Sequence, residues 1–384
     1  MGSIVTFYSF KGGVGRTMAL ANIAVLLAQM GKKVLMIDWD LEAPGLPNYF
    51  SGFEIKGNNS GLLDLLLKSR DSNSIEELSW QEYVSRIKLG SNCYLYMISS
   101  GSSDENYNGK VLTFDWELFF EKFNGGELIE SLRDDWRKAF DFVLIDSRTG
   151  ITDSGGICTI QVPDALAVIF TANYQSLHGV KDIVSRAQKA RQSLDFDRMP
   201  LLILPIPSRF DSRTEFKESQ KWIKIFEKEL TPFYADWLSK GNTPIEVIER
   251  TKLPYVAFFS FGEKLPVLVE GTSDPESLGR AYLTNAVLIL ELFQDPNTDE
   301  ISRAAPSDKL DNLAEISKKL STSLNSINSN KGHNHDQEQP PDFAVVSAPK
   351  YICPEGDYTW YRFDISDPIP TCPTHHCSLE REDA

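Results

Sequence analysis

Residues 8–17 read YSFKGGVGRT, and they sit between two runs of opposite periodicity. Before them, Ile4–Phe7 is a continuous apolar stretch of strand length. After them, Leu20, Ile23, Ala24, Leu27 and Ala28 recur at three and four residues, the period of a helix face. A strand feeding a glycine-rich turn and then a helix start is a phosphate cradle. Gly12, Gly13 and Gly15 let the backbone turn tightly, so that its N–H groups converge on one anion at the positive end of the helix. The usual loop of this kind reads G-x-x-x-x-G-K-[ST]. Here the glycines are closer together, Arg16 stands in the lysine position, and a second cation, Lys11, precedes the first glycine.

Four further segments agree with that start. Gly31 closes the first helix, and Lys33–Asp38 (KVLMID) reads as a buried strand ending in Asp38-Trp39-Asp40. Phe142–Asp146 (FVLID) is a second buried strand that runs into Ser147, Arg148, Thr149 and Gly150. Leu166–Phe170 and Leu201–Ile206 supply two more. Over roughly residues 1–290 the combination resembles the ParA/MinD family of ATPases, whose deviant Walker A loop is K-G-G-x-G-K-[ST].

The resemblance implies an α/β P-loop fold, a three-layer sandwich with a mostly parallel central sheet, over residues 1–295. It also implies ATP and Mg²⁺ as cofactors and ATP hydrolysis as the activity. Gly12, Gly13, Val14, Gly15, Arg16, Thr17 and Met18 would hold the phosphates. The Thr17 hydroxyl would ligate Mg²⁺, with Asp38 and Asp146 holding the metal's waters. Asp40 would orient the attacking water, and Lys11 would reach across a dimer interface to the partner's phosphates. A cation delivered in trans makes ATP the glue of a homodimer. Arg16 departs from the family: a planar fork replaces a compact ammonium between the β- and γ-phosphates, which implies slow turnover. Ser208 and Arg209 after the fourth strand, and Pro254 further on, fall where relatives contact the base. Loop packing is an equal reading of those three.

Composition narrows the partners. The formal net charge is −15, which repels a nucleic-acid backbone unless a basic patch is segregated, and no Lys/Arg cluster stands out along the chain. Non-specific DNA binding is therefore not expected. The C-terminal residues, LEREDA, do not form the basic amphipathic helix that anchors MinD-like proteins, so membrane association is not expected either. Apolar runs reach only five or six residues, against about 18 for a membrane span. No leader-type segment precedes the strand at Ile4, the pattern expected of a cytoplasmic protein.

Further along, Gly61–Lys68 reads as a short helix, Cys93–Ile98 as a strand, 99–109 as a polar loop, and 116–140 and 213–250 as helices. Tyr255–Phe261 looks like a strand and Ser277–Phe293 like a closing amphipathic helix. Residues 296–345 have a polar linker composition, with a helical stripe at Leu310, Leu313, Ile316, Leu320, Leu324 and Ile327. The expected last module is 346–384. Residues 333–384 hold three of the five cysteines and four of the five histidines in about a seventh of the chain. Cys353, Cys372, His375 and Cys377 are candidate Zn²⁺ ligands of a ribbon-like β module, against incidental reduced cysteines in a small fold. This C-terminal region is the expected contact for a protein partner.

The expected function is thus a slowly hydrolysing, ATP-dependent dimerisation switch. The alternatives are a catalytically impaired nucleotide-holding scaffold or a bacterial tyrosine kinase of the same fold. A nitrogenase-reductase-like electron donor is discounted, because only Cys158 sits suitably for a cluster.

Overall fold

The structure is a computed structural model. It describes residues 1–293 except 58, 72–77, 103–105, 151–155, 193–197 and 239–241, and thereafter residues 350–352, 354, 359–361, 371, 375–378, 380 and 381. The chain divides into two compact units, Met1–Lys331 and Gly332–Ala384.

In the first unit the apolar runs become strands β1 (Ser3–Tyr8), β2 (Val34–Asp38), β5 (Tyr94–Ile98), β6 (Phe142–Asp146), β7 (Ala165–Phe170) and β8 (Leu202–Pro207). Two short strands, β3 (Glu54–Lys56) and β4 (Ser85–Lys88), join them in one sheet. The order is β3-β4-β5-β2-β6-β1-β7-β8, parallel from β5 to β8 and antiparallel at the β3 and β4 edge. Parallel strands need both faces covered, and the side chains divide accordingly. Val5, Phe7, Val34, Met36 and Leu144 enter one core, whereas Ile4, Leu35, Ile37, Val143 and Ile145 enter the other.

The first core is roofed by α1 (Arg16–Gln29), α6 (Tyr174–Gln192), α7 (Phe216–Leu230), α8 (Pro244–Thr251), the short α9 (Pro266–Val269) and α10 (Leu278–Leu292). The second is roofed by α2 (Leu62–Asp71), α3 (Tyr107–Thr113), α4 (Trp116–Lys122) and α5 (Gly125–Ala139). Helix–sheet–helix is the three-layer sandwich expected. Gly31, at φ +82°, ends α1 in the left-handed conformation that glycine tolerates.

Three local expectations change. Residues 255–261 are not a strand: after a single bridge between Phe210 and Pro254 the chain closes into a 3₁₀ turn, Ala257–Ser260. Val256's carbonyl accepts from the Phe259 N–H, and Tyr255, Phe258 and Phe261 are exposed. The closing helix α10 is not amphipathic, since α1, α8 and α9 pack around it and Leu278–Ile289 is buried almost throughout. The loop expected at 99–109 ends in α3, where Tyr107 is buried and donates its hydroxyl to the Leu41 carbonyl, 2.8 Å away.

Scattered cations also converge. Lys32, Lys33, Arg137 and Lys138 line a cavity of about 670 Å³ floored by Phe140, Phe142 and Phe293, at the N-terminal ends of β2 and β6. The linear sequence hides this cluster because its halves lie a hundred residues apart.

In the second unit, β9 (Lys350–Ile352) is the middle of a three-stranded antiparallel sheet with β10 (Thr359–Tyr361) and β11 (Glu380–Arg381). His375 is exposed and Cys377 half-buried, whereas the other expected Zn²⁺ ligands, Cys353 and Cys372, lie outside the described residues. So does the helical stripe of 310–327.

Candidate functional site

β1 lies inside the sheet, between β6 and β7, and delivers the glycine loop to its C-terminal edge. Gly13 (φ +73°) and Gly15 (φ +88°) take left-handed backbone that a side chain would strain. A Cβ added at Gly12 or Gly13 would meet nothing within 4 Å, so the loop faces open space there. α1 starts at Arg16 with no side chain capping it, which leaves its first N–H groups available to an anion.

The loop is held from several sides. The Ser208 hydroxyl donates to the Val14 carbonyl at 2.7 Å, and the Ser9 hydroxyl to the Lys11 carbonyl at 3.0 Å. Phe10 lies on α6 over Gly179, where an added Cβ would come within 2.2 Å of the ring. Tyr8, almost wholly buried, donates to the Gly150 carbonyl at 3.2 Å and so ties β1 to the segment after β6. Burial pushes its phenol well above the usual range, keeping it a donor. The side chain of Lys11 makes no hydrogen bond or ion pair among the described residues.

Three carboxylates gather at the same edge. β2 and β6 run in register with Asp38 opposite Asp146. Asp146 is fully committed: Oδ1 accepts from Arg16 Nε at 2.5 Å and Oδ2 from the Thr17 hydroxyl at 2.6 Å. Asp40 Oδ2 accepts from Arg16 Nη2 at 2.8 Å, and Oδ1 from the Ala43 N–H at 3.3 Å. Asp38 is seated on backbone, accepting from the Asp40, Gly45 and Leu46 N–H groups at 3.2–3.3 Å. Arg16, expected among phosphates, therefore bridges two carboxylates. It is 7% exposed, and its third nitrogen, Nη1, is buried with no partner among the described residues.

Burial dominates the electrostatics. It pushes the Asp38 carboxyl up to about 8, with help from the neighbouring Asp146 charge. Asp146 is also raised by burial, although the Arg16 charge and the Thr17 hydrogen bond work against the shift. For Arg16, burial opposes the charge, but Asp146 and Asp40 outweigh it and raise the guanidinium's pKa.

These groups suit a magnesium ion. A hydroxyl and carboxylates at adjacent strand ends are hard oxygen donors, the kind Mg²⁺ takes. Among the described residues no three His, Cys, Asp or Glu side chains are grouped to hold a metal alone. An ion here would lean on Thr17, phosphate and water, the usual habit of Mg²⁺.

Of the expected base contacts, Ser208 spends its hydroxyl on the loop. Arg209 has φ +52° and stacks its guanidinium over Tyr255, 5.6 Å from the ring centre. Pro254 and Tyr255 line a cavity of about 200 Å³ with Phe210, Arg213 and Glu276. The residues missed from sequence are supports: Tyr8, Phe10 with Gly179, and Tyr107. Only the aromatic pair just ahead of Lys11 hinted at them.

Among the described residues no helix is long and apolar enough to cross a membrane. A family model for an AAA domain matches residues 2–197. The septum site-determining protein MinD of Helicobacter pylori is 28% identical over 207 residues, 51% of this chain and 64% of that protein. An uncharacterised ATP-binding protein of Methanocaldococcus jannaschii is 30% identical over 148 residues, 38% of this chain and 45% of its own length. The chain thus spans less than two thirds of either relative. The solved structure of Pyrococcus horikoshii MinD with Mg-ADP has the same fold: it covers 75% of this chain and 96% of its own, at 19% identity and TM-score 0.50.

Proposed function

The chain belongs to the ParA/MinD-type P-loop ATPases, and from that premise we propose that it is a slow, ATP-dependent dimerisation switch that engages a protein partner. The observation that carries this reading is the loop itself. Its open glycines and uncapped helix start lie beside a Thr17 hydroxyl already in contact with Asp146. Thr17, Asp146 and Asp38 would hold Mg²⁺, which neutralises charge on the β- and γ-phosphates when bound. Asp40 orients the attacking water, and the unengaged ammonium of Lys11 completes the site of a second copy. The C-terminal unit is the part we assign to the partner.

Light scattering with Mg²⁺ and a non-hydrolysable ATP analogue tests the switch: the mass should double for wild type and stay monomeric for Lys11→Ala, which still binds nucleotide. Asp40→Ala should keep the dimer and lose phosphate release by about 10²-fold or more, the scale of a lost general base. A monomer at saturating nucleotide overturns the dimer. Phosphotyrosine on the chain in place of phosphate release would favour the kinase alternative.

A further inference from the structure

Arg16 does something a lysine could not do at this position. Its Nε and Nη2 donate to carboxylates on two different segments, Asp146 at the end of β6 and Asp40 beyond the end of β2. An ammonium is a compact point charge at the tip of a flexible stem. A guanidinium is a rigid fork, so one side chain can hold two anions at fixed separation. Arg16 thus occupies one oxygen of Asp146 and one of Asp40, and the Thr17 hydroxyl is spent on the second Asp146 oxygen. Those are the groups that the proposed function needs for Mg²⁺ and water.

We propose that Arg16 is a latch: its double ion pair with Asp40 and Asp146 holds the nucleotide-free site closed to Mg-ATP, and loading requires the guanidinium to leave the carboxylates. This rests on the nucleotide-binding reading above and adds its regulation. The pair is nearly dry, with Arg16 7% exposed and Asp146 1%, so opening it exposes buried charge that phosphate and Mg²⁺ then satisfy. Asp146, once released, would take its place among the residues that hold the metal, and Asp40 would be freed for water. The buried, partnerless Nη1 is a donor not used in the latched state. Turnover is then slow because of the loading step, with Arg16 acting as a positioning residue.

The test is stopped-flow binding of a fluorescent ATP analogue with Mg²⁺ to the full chain. In wild type the observed rate should level off as nucleotide increases, the mark of a unimolecular step, here the opening of the latch, that limits loading. Arg16→Lys replaces the fork by a point charge and Asp40→Asn removes one of the two charges it holds; each should raise that plateau at least ~10-fold, and a tenfold change corresponds to about 1.4 kcal/mol. Asp40→Asn keeps the shape of the side chain, which guards against a variant that does not fold. A wild-type rate that rises linearly without a plateau, or variants that load at the wild-type rate, would overturn the latch while leaving nucleotide binding intact. No binding by any of the three proteins would instead overturn the nucleotide-site reading.

Discussion

Asp38 illustrates how far a single residue is shaped by what surrounds it. Its sequence neighbours mark it only as the polar end of an apolar strand. Burial, and then the Asp146 charge across the strand pair, push its carboxyl up to about 8. A folded-state pKa above the unfolded value means that the native state binds the proton more tightly. Asp38 therefore contributes its full stability below about pH 4, the ordinary carboxyl range, and loses it as pH rises towards 8. Asp38→Asn should remove that slope. Urea denaturation of both proteins at about pH 5 and about pH 8.5, in the lower part of the window and above it, should show the variant gaining on wild type at the higher pH; a gain at the lower pH would contradict the assignment. Lys11, Thr17, Asp38, Asp40 and Asp146 could all be singled out from sequence as candidates, because each lies within a few positions of a strand end or the glycine loop. The destination of Arg16 was not, since its partners come from β6 and from the turn after β2, and only folding measures the distance between them.

At the scale of elements, the legible parts were those whose burial is local. Six strands announced themselves as unbroken apolar runs because parallel strands are covered on both faces. The antiparallel edge did not: β3 is exposed at all three residues, so no alternation marked it. The run 255–261 misled for the opposite reason, Tyr255, Phe258 and Phe261 being exposed on a turn. Helix packing also hid a polar device. Asn22, fully buried in α1, accepts from the Val267 N–H at 3.1 Å and donates to the Met18 carbonyl at 2.8 Å. It thereby pins the start of α9 to the helix that carries the loop. Asn22→Ala would leave a buried N–H unsatisfied and should cost about 1–3 kcal/mol in chemical denaturation. A cost below about 0.5 kcal/mol, the scale of an inconsequential surface change, would mean that water replaces the contact.

Across the whole molecule, charge and topology are unevenly spread. A chain of net charge −15 still gathers Lys32, Lys33, Arg137 and Lys138 around one cavity, at the opposite end of β2 from Asp38. All groups of the proposed nucleotide site belong to the unit Met1–Lys331. A chain ending at Lys331 should therefore bind Mg-nucleotide as the full chain does and unfold at a similar temperature, measurable by fluorescence titration and thermal melting. A loss of nucleotide affinity would show that the site extends beyond that unit. The register of the sheet has a consequence for biosynthesis. β1 is made first, yet Ser3 pairs with Phe142 and Val5 with Ala165. At the usual pace of synthesis, ~5–20 residues per second, the first strand waits roughly 10–30 s for its neighbours. A growing chain thus carries its glycine loop long before the strands that flank β1 have been made.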